Sequence, residues 1–153
     1  MKVQLVNAYI AGALDVLGRE TGGPVERGPV HVQANPHTTE DVTAVIGISG
    51  GAAGALYLSM SEETALAVVS RLLGEPFASF DEFAASGIAE LAHVVAGGAA
   101  IARSNAGVNS NVSPPLLLAG AGASLASFGI QRLMVPVTTA CGPMTLHVAL
   151  RQA

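Results

Sequence analysis

From residue 6 to residue 18 the apolar positions Val6, Ile10, Ala13, Leu14 and Leu17 recur every three or four residues, the period of a helix turned to a core. Gly22-Gly23-Pro24 closes that run. The period then drops to two: weakly over Pro29 to Gln33, clearly over Asp41 to Ser49, and again over Ala55 to Met60 beyond the Gly50-Gly51 and Gly54 breaks. This pattern predicts consecutive antiparallel strands, with Gly50-Gly51-Ala52-Ala53-Gly54 as a hairpin loop. At Ser61-Glu62-Glu63-Thr64 the helical period returns, with a serine able to cap and two carboxylates in the first turn. Ala65, Leu66, Val69, Leu72 and Leu73 follow up to Gly74.

Ser79-Phe80-Asp81-Glu82 has the form of a capping box and predicts the longest helix, from Glu82 to about Asn105. Asn109 to Val112 reads as a turn, and Pro114-Pro115 precedes Leu116-Leu117-Leu118, an edge or a strand start because proline lacks the N–H a central strand needs. Leu133 to Thr139 and Met144 to Ala149 flank the turn residues Ala140-Cys141-Gly142-Pro143, so the chain closes with a hairpin. The expected fold class is α/β of the α+β kind: two long helices packed on an antiparallel sheet, with residues 1–153 forming one domain.

At 100° per residue the long helix has two sides. Phe83, Gly87, Leu91, Val94, Val95, Gly98 and Ala102 form a broad apolar face, while Ser86, Glu90, His93, Gly97 and Ser104 fall within about 40° of one line. Glu90 and His93 are three residues apart, about 5 to 6 Å between Cβ atoms, and can act on one small group between them. Gly97 leaves bare backbone one turn further on. Gly97-Gly98-Ala99-Ala100 is poor for an isolated helix, at about 1 kcal/mol per glycine relative to alanine, so something packs closely there.

Composition narrows the function. Half of the 153 residues are apolar, 12% are charged and there is one cysteine, Cys141, which excludes a disordered chain and a disulfide-stapled scaffold. Seven Lys plus Arg against eleven Asp plus Glu leave a net charge of −4, the wrong sign for a nucleic-acid binder. No acidic residue follows Glu90, so the second half is expected to be mostly buried. No stretch of eighteen strongly apolar residues or signal peptide is evident, so the expectation is a cytoplasmic chain that neither enters a membrane nor contacts nucleic acid. Its apolar surplus points to a homodimer.

Spacing alone leaves Glu90 and His93 open to a bland reading as the solvated face of an amphipathic helix. Glu-x-x-His is also half of a di-iron ligand set, which needs a second such pair; His31, His37 and His147 sit in turn or strand contexts, and no metal site is expected. The Gly50–Gly54 cluster lacks the Lys-Ser/Thr of a phosphate loop, and no serine sits in a nucleophile elbow. Cys141 with His147 is a conceivable nucleophilic pair, against the plainer reading of packed core residues. Gly12 to Gly18 can be laid beside Gly87 to His93, with Asp15 opposite Glu90 and Gly18 opposite His93, as a faint duplication or a chance likeness.

Ser86-x-x-x-Glu90-x-x-His93, followed by Ser113-Pro114-Pro115, resembles the motif of the CheC/CheX/FliY chemotaxis phosphatases. There Asp or Ser, then Glu, then Asn precede a downstream proline. Val6-Asn7-Ala8-Tyr9, the Leu58–Ala65 junction and Phe80-Asp81-Glu82 are similar to the CheX branch, as are the length and the single motif. The resemblance implies a CheY-P phosphatase of two-component signalling, whose motif helix enters the active site of a response-regulator receiver. It implies catalytic roles for Glu90, engaging a receiver lysine, and for His93, aligning the attacking water. Ser86, Gly97, Pro114 and Pro115 become partner-binding candidates. It implies no cofactor beyond the Mg2+ of the receiver. His93 stands where the family has Asn: neutral imidazole keeps one donor and one acceptor, and protonated imidazole loses the acceptor. The alternative is a module that binds a receiver or another signalling partner with impaired catalysis.

Overall fold

The computed structural model describes residues 3–33, 40–105, 107, 109–120, 122 and 131–152. The first helical period becomes α1 (Val3–Thr21), which buries Val6, Tyr9, Ile10, Ala13, Val16 and Leu17. It ends where Gly22, at φ 87°, turns left-handed and its N–H bonds back to Gly18 O at 3.0 Å. The short strands β1 (Glu26–Arg27) and β2 (His31–Gln33) follow, then the hairpin β3 (Val42–Gly50) and β4 (Ala52–Met60). Its turn is tighter than the glycine cluster suggests, since Ala52 to Gly54 already belong to β4.

α2 (Glu62–Leu73) starts on Ser61, whose Oγ accepts from Thr64 N at 3.2 Å, and stops at left-handed Gly74. α3 (Glu82–Asn105) spans the expected range, but its cap is Asp81, whose Oδ1 accepts from Ala84 N at 2.9 Å, and not Ser79. A carboxylate at this position also complements the helix dipole. The chain then forms β5 (Ser110–Val112), β6 (Leu116–Ala119), β7 (Arg132–Thr139) and β8 (Gly142–Gln152), so a turn and closing hairpin sit at Ala140-Cys141 as expected. Asn109 to Val112, expected as a turn, is largely strand, because Ser110 to Val112 pair with Ile48 to Gly50.

The sheet is antiparallel in the order β1-β7-β8-β4-β3-β5, with β2 also on β7 and β6 also on β3. Thus β2 does not pair with β3, its successor in sequence; His31 to Gln33 lie opposite Met134 to Arg132. Register Val42↔Met60, Ala44↔Leu58 and Ile46↔Leu56 turns these side chains to the helices, where they join Leu146, Val148, Val135 and the buried faces of α1, α2 and α3 in one core. The opposite face is also withdrawn from water at Thr43, Tyr57, Ser59, Arg132, His147 and Ala149, so the central strands are covered on both sides.

The expectation of a mostly buried second half holds for β7 and β8 but not between Gly107 and Gly120, where Asn109, Asn111, Pro114 and Leu116 are exposed. Among the described residues one helical stretch, Glu82–Ala102, is long and apolar enough by length and composition alone to cross a membrane, which corrects the expectation that none would be. Here its apolar residues Ala84, Ile88, Leu91, Ala92, Val95, Ala96 and Ala99 are packed in the core, with Glu90 and His93 on the outer side.

Candidate active site

Three glycines of α3 explain how its outer ridge is held and what it presents. A Cβ on Gly98 would lie 2.2 Å from Val16 Cγ2, and one on Gly12 of α1 would lie 2.7 Å from Ala102 Cβ, so α1 and α3 approach to backbone distance. This is the close neighbour that Gly97-Gly98-Ala99-Ala100 predicts. A Cβ on Gly87 would lie 2.8 Å from Val69 Cγ1, which seats α2 against the same helix. Gly97 differs: a Cβ there meets nothing within 4 Å. With its N-terminus capped by Asp81 and two helices locked against its inner face, α3 is a rigid support.

Ser86, Glu90 and His93 are all exposed on the outer side, and Gly97 is half-exposed in line with them. The structure therefore brings four of the expected residues onto one convex ridge. Among the described residues, neither Glu90 nor His93 makes an ion pair; the one ion pair found there joins Asp15 to Arg19 at 4.0 Å. Exposed, and without an ion pair among the described residues, the carboxylate and the imidazole are both open to another molecule.

Pro114 and Pro115 lie off α3, between β5 and β6 at the β3 edge. Ser113 Oγ accepts from Gly47 N at 2.8 Å and donates to Pro114 O at 3.0 Å, pinning this segment to the sheet. Among the described residues no hydrogen bond links either proline to the ridge.

The apolar face expected from periodicity is corrected at two positions. Phe83 is 71% exposed and Val94 is at the exposed margin, while the buried face consists of Ala84, Ile88, Leu91, Ala92, Val95, Ala96 and Ala99. Small residues suffice at this core surface because α1 comes so near. The angular position of Phe83, within about 20° of Glu90, is the signal in the sequence that it belongs to the outer side.

The other candidates separate. Cys141 Sγ lies 3.9 Å from Thr21 O, burial pushes its thiol pKa up, and it is not paired with His147. His147 lies on the far face of the sheet, where its Nε2 is 2.8 Å from Ser59 Oγ, and Ser59 also donates to Glu40. The single Ser59 proton goes to the carboxylate, so Nε2 carries the imidazole proton and donates to Ser59, leaving Nδ1 bare. His37 lies outside the described residues. Among the described residues no three His, Cys, Asp or Glu side chains converge. On α1, Asp15 is exposed and Gly18 supplies no side chain opposite His93, so that faint echo of the motif presents no comparable pair.

Residues 42–138 match the family model described as "Chemotaxis phosphatase CheX". The chain belongs to the CheX family. It is 36% identical over 145 residues, 90% of this chain and 89% of the other, to a Thermotoga maritima protein named CheY-P phosphatase CheX. In fold it is similar to a CheC-like superfamily protein from Shewanella sp. PV-4, with a TM-score of 0.85, 24% identity and 99% of each chain covered. It is also similar to a chain of the CheX-CheY-BeF3-Mg2+ complex from Borrelia burgdorferi, with a TM-score of 0.83, 22% identity, and 99% and 100% of the two chains covered. The three-helix layer on an antiparallel sheet is thus the architecture of CheX and CheC-like proteins.

The ridge of this CheX-family chain yields one prediction that separates stability from function. Gly97→Ala adds a methyl that meets nothing, so it stabilises α3 by about 1 kcal/mol and raises Tm. It also narrows the bare backbone beside Glu90 and His93, so receiver-directed activity falls while stability rises; a parallel rise of both would show that the opening at Gly97 has no role.

Proposed function

We propose that this chain dephosphorylates the aspartyl phosphate of a CheY-like response-regulator receiver, as a hydrolase of chemotaxis or a related two-component pathway. The supporting observation is Glu90 and His93 three residues apart and exposed on the outer ridge of a rigid helix in a CheX-family chain, with no ion pair among the described residues. The named activity of the Thermotoga maritima relative and the CheY-bound Borrelia burgdorferi relative support the same substrate class.

In this reading Glu90 docks on a cationic side chain of the receiver, and a ring nitrogen of His93 accepts a hydrogen bond from a water held in line with the phosphorus. The water oxygen–phosphorus bond forms as the bond to the aspartyl oxygen breaks. The receiver recovers its carboxylate, inorganic phosphate leaves, and the water proton passes to His93 or to the phosphate. Mg2+ comes with the receiver. Ser86 and Gly97 border the contact, and Pro114 and Pro115 belong to the partner surface. The functional form is a cytoplasmic homodimer built on residues 1–153 as one domain. The exposed apolar residues Val32 and Leu116 on strands at opposite sides of the sheet support self-association, and sedimentation velocity tests it.

A receiver-binding module with impaired catalysis is the second reading, favoured by imidazole at the position where the family carries an amide. Phosphate loss from a phosphorylated receiver distinguishes them: acceleration by the chain supports the phosphatase, and tight binding at an unchanged decay rate supports the module. His93→Asn is expected to keep or raise the rate, because an amide aligns water without a change in charge. Complete loss would show that imidazole chemistry is specifically required.

A further inference from the structure

Surface apolar residues scattered singly are ordinary, but those on α3 are not scattered. Among the described residues seven large apolar side chains are exposed, and Phe83, Val94 and Ile101 of these lie on the outer side of α3. At 100° per residue, Phe83 and Ile101 each fall within about 20° of the line of Glu90, as does Gly97. At ~1.5 Å per residue Phe83 stands about 10 Å before Glu90 and Ile101 about 16 Å after it. Phe83 is 71% exposed and Ile101 66% exposed, so no described residue covers either. A body that lies along the helix to reach Glu90 therefore meets an apolar side chain on both sides of it. Gly97, between Glu90 and Ile101, adds no side chain to hold that body off.

We propose that Phe83 and Ile101 are the apolar anchors that seat the receiver on α3, one on each side of the Glu90–His93 pair, and that they supply affinity while the pair does the chemistry. This rests on the reading of the ridge as a receiver site. The occupant is a receiver whose acidic phosphorylation pocket is flanked by apolar shelves. Continuity of both anchors with Glu90 along a single line is the reason for assigning them to that partner and not to a second surface.

The test measures binding of the whole chain to the CheY-like receiver of the same organism charged with beryllofluoride and Mg2+, where beryllofluoride stands in for the phosphoryl group. Phe83→Ser and Ile101→Ser are each expected to weaken binding about tenfold, and the double variant about a hundredfold. The kcat at saturating phosphorylated receiver stays at the wild-type value and KM rises in step with Kd. Unchanged thermal melting verifies that the exposed substitutions leave the fold intact. Affinities within twofold of wild type overturn the anchors while leaving the phosphatase reading standing. Binding without accelerated phosphate loss in the wild type removes the phosphatase reading alone, and Kd still decides the anchors. A wild-type chain that does not bind the receiver overturns both.

Discussion

Glu90→Ala is expected to leave the chain folded and to remove at least about a hundredfold of its acceleration of receiver dephosphorylation. The side chain is exposed on α3, so truncating it leaves no buried group unsatisfied and changes stability by about 0.5 kcal/mol or less. The loss arises in the complex. In the proposed complex the Glu90 carboxylate fixes the register of a rigid helix on its partner and so positions His93 as well, and ~1 Å of misplacement costs about a hundredfold in rate. The check is the decay of phosphorylated receiver with wild-type and variant chains at matched thermal stability. Wild-type decay with the variant would remove Glu90 from the mechanism and with it the proposed use of this ridge.

Below neutral pH the fold is expected to lose stability at up to about 1.4 kcal/mol per pH unit through one residue, His147. Burial between β4 and β7 on the sheet's far face lowers its pKa to about 3; the positive charges of Arg132 and His31 add to the shift. The hydrogen bonds agree: Nε2 donates to Ser59, and a proton on Nδ1 would find no acceptor among the described residues. The native state therefore favours neutral imidazole, while the unfolded chain binds a proton below its ordinary value of 6.5. The stabilisation is complete above about pH 6.5 and declines as pH falls toward about 3. Urea unfolding at pH 7 and pH 4 should differ by about 3 kcal/mol from this residue, since about 2.5 pH units of the window are crossed. His147→Gln, which keeps a donor for Ser59, should flatten that slope; an unchanged slope would place the acid sensitivity in other groups.

Much of the fold is legible in the sequence because its signals are local. Ser61 before two carboxylates and Gly74 after the last leucine mark both ends of α2, and the structure puts the caps on those residues. Alternation over Asp41–Ser49 and Ala55–Met60 likewise becomes a paired hairpin. The misreadings concern partners distant in the chain. β2 pairs with β7, about a hundred residues downstream, because a strand's neighbour is chosen by sheet assembly and not by order. Asn109–Val112 carries turn-forming residues and yet extends along β3, where ladder hydrogen bonds outweigh weak local propensity.

The site divides the same way. The spacing of Ser86, Glu90, His93 and Gly97 is enough to put them on one helical face, since ~100° per residue is a property of the backbone alone. Which way that face turns is decided by tertiary packing: Gly12, Gly98 and Gly87 let α1 and α2 close on the opposite side and leave the motif outward. The same closure makes alanines sufficient for the core and sends Phe83 and Val94 into water, against their hydrophobicity. Periodicity is inherited from the helix, whereas exposure depends on what packs against it, and only three-dimensional contact determines the second.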